Sequence, residues 1–296
     1  MTETDESSGN GLRIAVVVPV HNDWLHTKEC LAQLRKLNRL PDEIIVVDDG
    51  STDETAFALA RDFPHVLRLV GDGNLWWTGC MNLGARDALE RGAAYLLVLN
   101  NDVLLDPGAL DALIAASAAH PKALVGSLIM EAARPEVVWC AGGSTKWPWR
   151  GEFMLDTVAM HQDQSDQLLQ VDWLPGMGTL VSRQLFLELG GYEPRMPQYL
   201  ADCDFSLRAA RLGYQVLVTP KSKLFNHVEN TGGVSPGNIR LSFRKVLSVF
   251  NDRRSPDYLS ARLLFMFRHC PLHLLLPALA FRYGRLFLYL LKRACR

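Results

Sequence analysis

No C-x-x-C pair occurs among the six cysteines of this 296-residue chain (Cys30, Cys80, Cys140, Cys203, Cys270 and Cys295). Zinc-knuckle and thioredoxin-type motifs are thereby excluded, and the cysteines are too sparse for a disulfide scaffold, which leaves reduced thiols. A charge excess of one sign is also missing: 31 Lys+Arg stand against 32 Asp+Glu, a formal net charge of −1. A uniformly basic nucleic-acid binder and an acidic disordered chain are both disfavoured, and no nucleic-acid partner is expected. The glycine fingerprint of dinucleotide sites is absent. The first apolar run leads into Pro19-Val20-His21-Asn22, and Gly71-Asp-Gly73-Asn-Leu-Trp76 lacks the third glycine. With no G-K-[ST] loop either, a nicotinamide dehydrogenase and a Walker-type nucleotide site lose their support. Residues 1–11 hold no apolar stretch, so they read as a disordered tail rather than a signal or transit peptide, and point to the cytoplasm. There is no uninterrupted run of about 20 apolar residues to span a membrane. Arg262–Arg296 is rich in Leu, Phe and Tyr, but Arg268, Pro271, Pro277, Arg282 and Arg285 break it.

What is present is a globular composition, 48% hydrophobic and 21% charged, with an uneven charge distribution. Arg240–Arg296 carries 12 Lys/Arg against 2 Asp/Glu, so an acidic body is followed by a basic, leucine-rich tail. Short β-branched runs at Arg13–Val18 and Glu43–Asp48 suit strands buried on both faces. Val66–Val70 and Tyr95–Leu99 read as further strands. Leu25, Leu31, Leu34 and Leu37 recur at roughly helical spacing, a helix is expected over Thr78–Arg91, and Ser51 with Glu54 has capping-box spacing. Strands alternating with helices imply βαβ units and a mostly parallel sheet, whose ligands bind outside the carboxyl ends of the strands. Beyond Ala123 strand-like pieces (Ala123–Met130, Glu136–Cys140, Gly178–Val181, Gln215–Thr219) alternate with Gly/Trp/Pro-rich connections, and a helix over Asp202–Leu212 stops at Gly213. The second half reads as an α+β elaboration of the first, without internal repeats.

The residues after the strand ends are carboxylates and amides. Asp48-Asp49-Gly50-Ser51 offers a carboxylate to a base N–H or a ribose hydroxyl, and is equally the composition of an ordinary turn. In Asn100-Asn101-Asp102 the acid is a helix or turn cap, or one of the one or two carboxylates that a hard cation needs when a diphosphate completes its shell. Asp202 and Asp204 lie two apart at a helix start and so point in different directions. One suits a general base, and the other a cap or an i,i+4 pair with Arg208. His227 is either structural or a ligand. Trp76, Trp77, Trp147, Trp149 and Trp173 divide between stacking on sugar or base and core packing.

In order and spacing, these pieces resemble family 2 glycosyltransferases. The matching segments are Ile14–Asn22, Ile44–Asp53, Gly73–Gly84, Val98–Asp102, Trp173–Gly178, Asp202-x-Asp204-x-x-x-Arg208 and Lys223–His227, and the resemblance covers roughly Arg13 to Gly233. It implies a GT-A fold: α/β, a mostly parallel central sheet flanked by helices, an α+β second half and C-terminal amphipathic helices. The division implied is a tail over 1–11, a catalytic domain over 12–236 and a basic amphipathic helical segment over 237–296. By the same resemblance Pro19 and Asn22 line the nucleotide pocket, Asp49 reads the base and Asn82 lies near the donor diphosphate. Asp102 matches the last acid of the family's D-x-D and binds a divalent metal (Mg or Mn). Gly176 and Gly178 form the loop beneath the donor sugar, Asp202 is the catalytic base and His227 reaches the metal. Two positions depart from the pattern: Asn100 replaces the first acid of D-x-D, as in rhamnosyltransferase-like branches, and Ala201 replaces the acid before the base.

The activity implied is inverting transfer from a UDP- or dTDP-sugar to a hydroxyl of a saccharide or lipid-linked acceptor, in bacterial cell-surface polysaccharide synthesis. One base without an enzyme nucleophile means a single in-line displacement. A nucleotidyltransferase and a sugar-nucleotide-binding protein that has lost catalysis are the alternatives. The first lacks its glycine-rich loop, and the second draws on Asn100 and Ala201. The basic, leucine-rich tail suits an interfacial helix on an anionic membrane, at the inner face of the cell membrane; its alternative is packing on the catalytic domain or a second protomer.

Overall fold

The computed structural model describes residues 12–147, 151–154, 167–227 and 250–294. The expected tail over 1–11, Trp149 and the division at 236/237 lie outside the described residues. Four parallel strands form one half of a ten-stranded sheet: β1 (Ile14–Val20), β2 (Glu43–Asp48), β3 (Leu67–Val70) and β4 (Tyr95–Val98), in the order β4-β1-β2-β3. Helices α1 (Trp24–Leu34), α2 (Thr55–Asp62) and α3 (Trp76–Glu90) make the crossovers between them.

The uninterrupted apolar runs have a direct structural cause. Side chains alternate across a strand, and both faces of this sheet are covered. Ala15, Val17, Ile45 and Val47 join one core cluster, while Ile14, Val16, Val18, Ile44 and Val46 join another. Helix α3 lies so close to the sheet that a Cβ at Gly84 would come within 2.5 Å of the Val17 side chain.

The second half is mixed. β5 (Val103–Leu105) leads into α4 (Ala109–Ala119), and β6 (Ala123–Glu131) and β7 (Val138–Cys140) follow. β8 (Gly143–Lys146) and β9 (Gly151–Met154) form a separate hairpin, and β10 (Leu169–Gln170) is an edge strand. β11 (Thr179–Ser182) inserts antiparallel between β4 and β6, and then come α5 (Arg183–Leu189), α6 (Ala201–Arg211) and β12 (Gln215–Asn226). β12 runs parallel to β6 and antiparallel to β5, pairing Asn226 with Val103. It extends seven residues beyond the strand expected to end at Thr219.

Two C-terminal helices complete the described chain, α7 (Leu259–His269) and α8 (Leu272–Ala294). Ala261 and Phe265 of α7 belong to the same core cluster as Phe205 of α6. Leu275 and Ala278 of α8 pack with Met266 and Cys270. No described helix is long and apolar enough to cross a membrane. The capping box expected at Ser51/Glu54 does not form. Ser51 Oγ accepts from Asn22 N (2.9 Å), and helix α2 starts at Thr55, whose N–H is taken by Asp53 Oδ1 (3.0 Å).

Candidate active site

The parallel strands end together on one side of the sheet. There they open into a cavity of about 1160 Å³, bordered by Pro19, Asp49, Asn100, Asp102, Gly176 and Asp202 among others. Asp49 follows β2 and is buried, with both carboxylate oxygens engaged: Oδ1 accepts from Gly73 N (2.8 Å) and Oδ2 from Trp76 N (2.9 Å). The carboxylate therefore shapes the Gly73–Trp76 loop at the cavity wall. Its neighbour Asp48 is fully buried and pairs with Arg68 through Nε (2.9 Å) and Nη2 (2.7 Å). One of the two adjacent acids thus serves the cavity and the other the fold.

Asp102 follows β4, and its Oδ1 is buried without a hydrogen-bond partner among the described residues. Burial raises its carboxyl above the ordinary range, Asp23 adds to the rise, and His26 and His227 oppose it. An orphaned, buried carboxylate oxygen at a cavity wall is suited to a hard cation. The pairing of β5 with β12 sets His227 beside it, with His227 N donating to Asp102 O (3.4 Å). The His227 ring lies 5.5 Å from that of His26, and its Nε2 is 3.7 Å from Glu29 Oε2. His227 does not border the cavity; it stands behind Asp102.

Asn100, where the family motif has an acid, has a definite task in the structure. Its Oδ1 accepts the Trp77 indole N–H (3.0 Å). The same indole lies over Gly176, where a Cβ would come within 2.3 Å of the ring. A carboxylate at position 100 would add a second negative charge beside Asp102; the amide gives the indole its acceptor without that repulsion.

Asp202 opens α6, partly buried at the cavity wall. Oδ2 accepts from Gly176 N (2.9 Å) and Oδ1 from Cys203 N (2.8 Å). Burial pushes its carboxyl up, and these two backbone N–H groups only partly offset that. Asp204 points the other way, as the two-residue spacing requires. It is fully buried, with Oδ2 taking Arg208 Nε (2.7 Å) and Oδ1 taking Arg268 Nη1 (2.8 Å) and His269 Nε2 (2.8 Å). The anticipated i,i+4 pair with Arg208 is present, joined by two partners from α7.

Residues 15–154 match the family model Glycosyl transferase family 2. An N-acetylglucosaminyl-diphospho-decaprenol L-rhamnosyltransferase of Mycobacterium tuberculosis is 29% identical over 265 residues, 82% of this chain and 85% of that protein. The chain is thus similar to glycosyltransferase family 2, and there to its rhamnosyltransferase-like branch. Among solved structures, GalNAc-T7 with UDP, GalNAc and Mn2+ superposes with a TM-score of 0.62 at 16% identity, over 74% of this chain and 44% of that one. The mannosyltransferase PcManGT of Pyrobaculum calidifontis in complex with GDP-Man and Mn2+ gives 0.56 at 18% identity, over 88% and 65%. The fold of this glycosyltransferase is GT-A.

Some of the residues that the motifs single out gather at the cavity and others do not. Pro19, Asp49, Asp102, Gly176 and Asp202 border it; Asn22, Asn82 and Gly178 are not among its lining residues. Asn22 straps two strand-end loops together, its Oδ1 accepting from Thr52 N (2.7 Å) and Asp53 N (3.3 Å). Asn82 is buried and exchanges two hydrogen bonds with the Tyr192 backbone, both 2.9 Å, so its amide fastens α3 instead of facing a diphosphate. Gly178 joins strands, its N–H going to Val98 O (2.8 Å) and its carbonyl accepting Ser127 N (2.9 Å). Of the tryptophans singled out, Trp76, Trp77 and Trp173 border the cavity and Trp147 packs against the core; Trp139, which no motif marks, borders the cavity too. Arg254 and Arg262 also border it, and no sequence motif marks them. The available signal was the positive charge of the segment that carries them.

Proposed function

We propose that this glycosyltransferase performs inverting transfer from a nucleoside-diphosphate sugar, UDP- or dTDP-linked, to a hydroxyl of a saccharide carried on a lipid diphosphate. The observation that carries the reading is two unlike carboxylates at one cavity, Asp102 with an orphaned oxygen and Asp202 with a raised pKa and both oxygens fixed. Asp102 is the residue that would hold a divalent cation, Mg or Mn, and His227, which stands behind it, would join only by turning toward the cavity. No group of three or more His, Cys, Asp or Glu that could hold a metal occurs among the described residues, so diphosphate oxygens and water would have to complete the shell of such an ion. When bound, the cation neutralises charge on the departing diphosphate.

The chain's own residues supply the rest. Asp49 and the loop it braces receive the base, while Trp77 and Gly176 form the floor under the sugar. Asp202 accepts the proton of the acceptor hydroxyl as oxygen attacks the anomeric carbon. Burial matters here because it brings the carboxylate's pKa closer to working pH, where a general base is most effective. The diphospho-decaprenol in the name of the mycobacterial relative supports this acceptor class, and with it the reading of bacterial cell-surface polysaccharide synthesis at the inner face of the cell membrane.

The test is turnover with a panel of nucleotide sugars, Mn2+ or Mg2+, and N-acetylglucosamine linked to a short polyprenyl diphosphate. Release of nucleoside diphosphate together with a product of opposite anomeric configuration is expected. Pyrophosphate release from a triphosphate, or binding of every nucleotide sugar without turnover, would overturn the reading.

A further inference from the structure

The Trp77 indole is held on several sides. Its ring N–H donates to Asn100 Oδ1 (3.0 Å) after β4, its backbone N–H donates to Gln198 Oε1 (3.3 Å), and its ring meets Tyr192 edge to face at 5.1 Å. Tyr192 lies in turn on Phe205 of α6, with 4.5 Å between ring centroids. The outer ring of the indole covers Gly176, where a Cβ would collide with Cζ2 and Cη2. Gly176 is not among the glycines with positive φ, so the backbone does not demand glycine there; the indole does. Gly176 N donates to Asp202 Oδ2 (2.9 Å), in the first turn of α6. One ring thus rests against both sides of that hydrogen bond, directly on Gly176 and through Tyr192 and Phe205 on α6.

We infer that Trp77 is a positioning residue for the Asp202 base: pressed on Gly176 and anchored by Asn100, the indole fixes where the Gly176 N–H holds the carboxylate. The inference rests on the glycosyl-transfer reading above, and adds to the place of Trp77 under the sugar. Placement matters because a shift of about 1 Å in a reacting group can lower a rate about a hundredfold. Cys140 and Tyr192, the titratable groups that feel the Asp202 charge, are both kept protonated by burial. Asp49, Asp102, Arg254 and Arg262 share the cavity and stay the same in every protein compared below.

The test is a double-mutant cycle of Gly176→Ala and Trp77→Phe, read by 13C NMR titration of the Asp202 carboxyl, with Asp202→Asn identifying the signal. The added Cβ should drive the backbone N–H at 176 off the carboxylate and raise the Asp202 pKa by about one unit, as expected when a charge-assisted hydrogen bond is lost. In Trp77→Phe, whose phenyl ring lacks the outer atoms, the same change should raise it by about half as much or less. Asn100→Leu is a second route that adds no bulk at Gly176: it should raise the pKa when Trp77 is present and not in Trp77→Phe, which has no indole N–H. Single-turnover rates should follow, Gly176→Ala losing at least about tenfold and Trp77→Phe restoring most of that loss. A ring that only floors the sugar would give additive losses and an unmoved carboxyl. An Asp202 pKa that neither Gly176→Ala nor Asn100→Leu raises, or that rises equally with and without the indole, overturns the inference. Because the titration needs no turnover, a wild type that transfers no sugar would overturn the transfer reading while the cycle still decides the coupling.

Discussion

Two aspartates in the first turn of α6 show how little sequence distance separates chemistry from structure. Asp202 receives the backbone N–H groups of Gly176 and Cys203 and borders the cavity, whereas Asp204 receives two guanidinium groups and an imidazole and is sealed. A positioned base is worth about 10²–10⁴ in rate, so Asp202→Asn should lower turnover at least about a hundredfold while donor affinity stays within a few-fold. Normal turnover, or a product that retains configuration, removes the assignment. Because burial raises the Asp202 carboxyl, the acid limb of the wild-type kcat profile should lie above the ordinary carboxylate range: the base works only when deprotonated and is lost as pH falls through its raised pKa. A limb at the value of an exposed aspartate would contradict that cause. Asp102→Ala should abolish turnover and make nucleoside diphosphate binding indifferent to Mn2+, which calorimetry with and without the ion checks. Persisting metal dependence would shift the role to another ligand. That Asp202 and Asp204 point apart was legible from their spacing, whereas the roles of Asp202 and Asp102 were legible only through the family resemblance. What spacing could not reveal is that the carboxylate of Asp49 holds a loop while the amides of Asn22 and Asn82 fasten the fold, because motif residues that shape a site and those that touch a ligand leave the same trace.

Among elements, α6 and α7 are the pair on which the site depends most. Glu193 and Asp204 both receive Arg268, at 2.6 and 2.8 Å, so the end of α7 is clamped to the helix that carries Asp202. Burial alone would raise the Asp204 carboxyl, but His269, Arg208 and Arg268 outweigh it and hold it below its usual value. Removing one partner of a buried ion pair costs about 3–5 kcal/mol, and Asp204→Asn should lower unfolding free energy on that scale. The pH dependence has a definite sign. A carboxyl depressed in the folded state contributes stability above its unfolded value, lost as pH falls through the folded one. His269, whose pKa burial lowers, favours the neutral ring, so its contribution is present above its unfolded value of about 6.5 and declines on acidification below it. Urea unfolding across pH should therefore show the wild type weakening from near neutrality downward, with Asp204→Asn lacking the lower part of that loss; parallel curves would refute the coupling. The strands were legible because a sheet covered on both faces demands apolar runs. Helix α4 was not, since its alanine-rich sequence Ala109–Ala119 gives little contrast between faces, and β10, two residues long, is defined by its partner β12.

At the scale of the whole molecule, the two readings of the basic C-terminal segment fall to different helices. Its charge and leucines suggested an interfacial helix, with packing on the catalytic domain as the alternative; α7 follows the alternative, contributing Phe265 to the core, and the turn before it places Arg254 at the cavity. Composition cannot distinguish these fates, because an apolar helix face looks the same whether a sheet or a membrane covers it. Helix α8 supplies the outward-facing part. Leu275 and Ala278 turn inward, whereas Leu272 and Leu276 are 84% and 77% exposed, and Phe267 at the end of α7 is 63% exposed. Burying one such leucine in a lipid interface contributes about 1.5–3 kcal/mol, and each nearby Lys or Arg on an anionic surface about 1 kcal/mol. The protein should therefore float with anionic liposomes at low salt and less so with neutral ones. Rising salt should weaken attachment by screening the charges while leaving the apolar share. Leu272→Glu combined with Leu276→Glu should release it, because the two acids oppose both contributions, while turnover on an octyl glycoside acceptor shows that the catalytic fold persists. Wild-type protein that stays at the bottom of the gradient, or a double variant that floats equally well, would mean that this face meets something other than lipid.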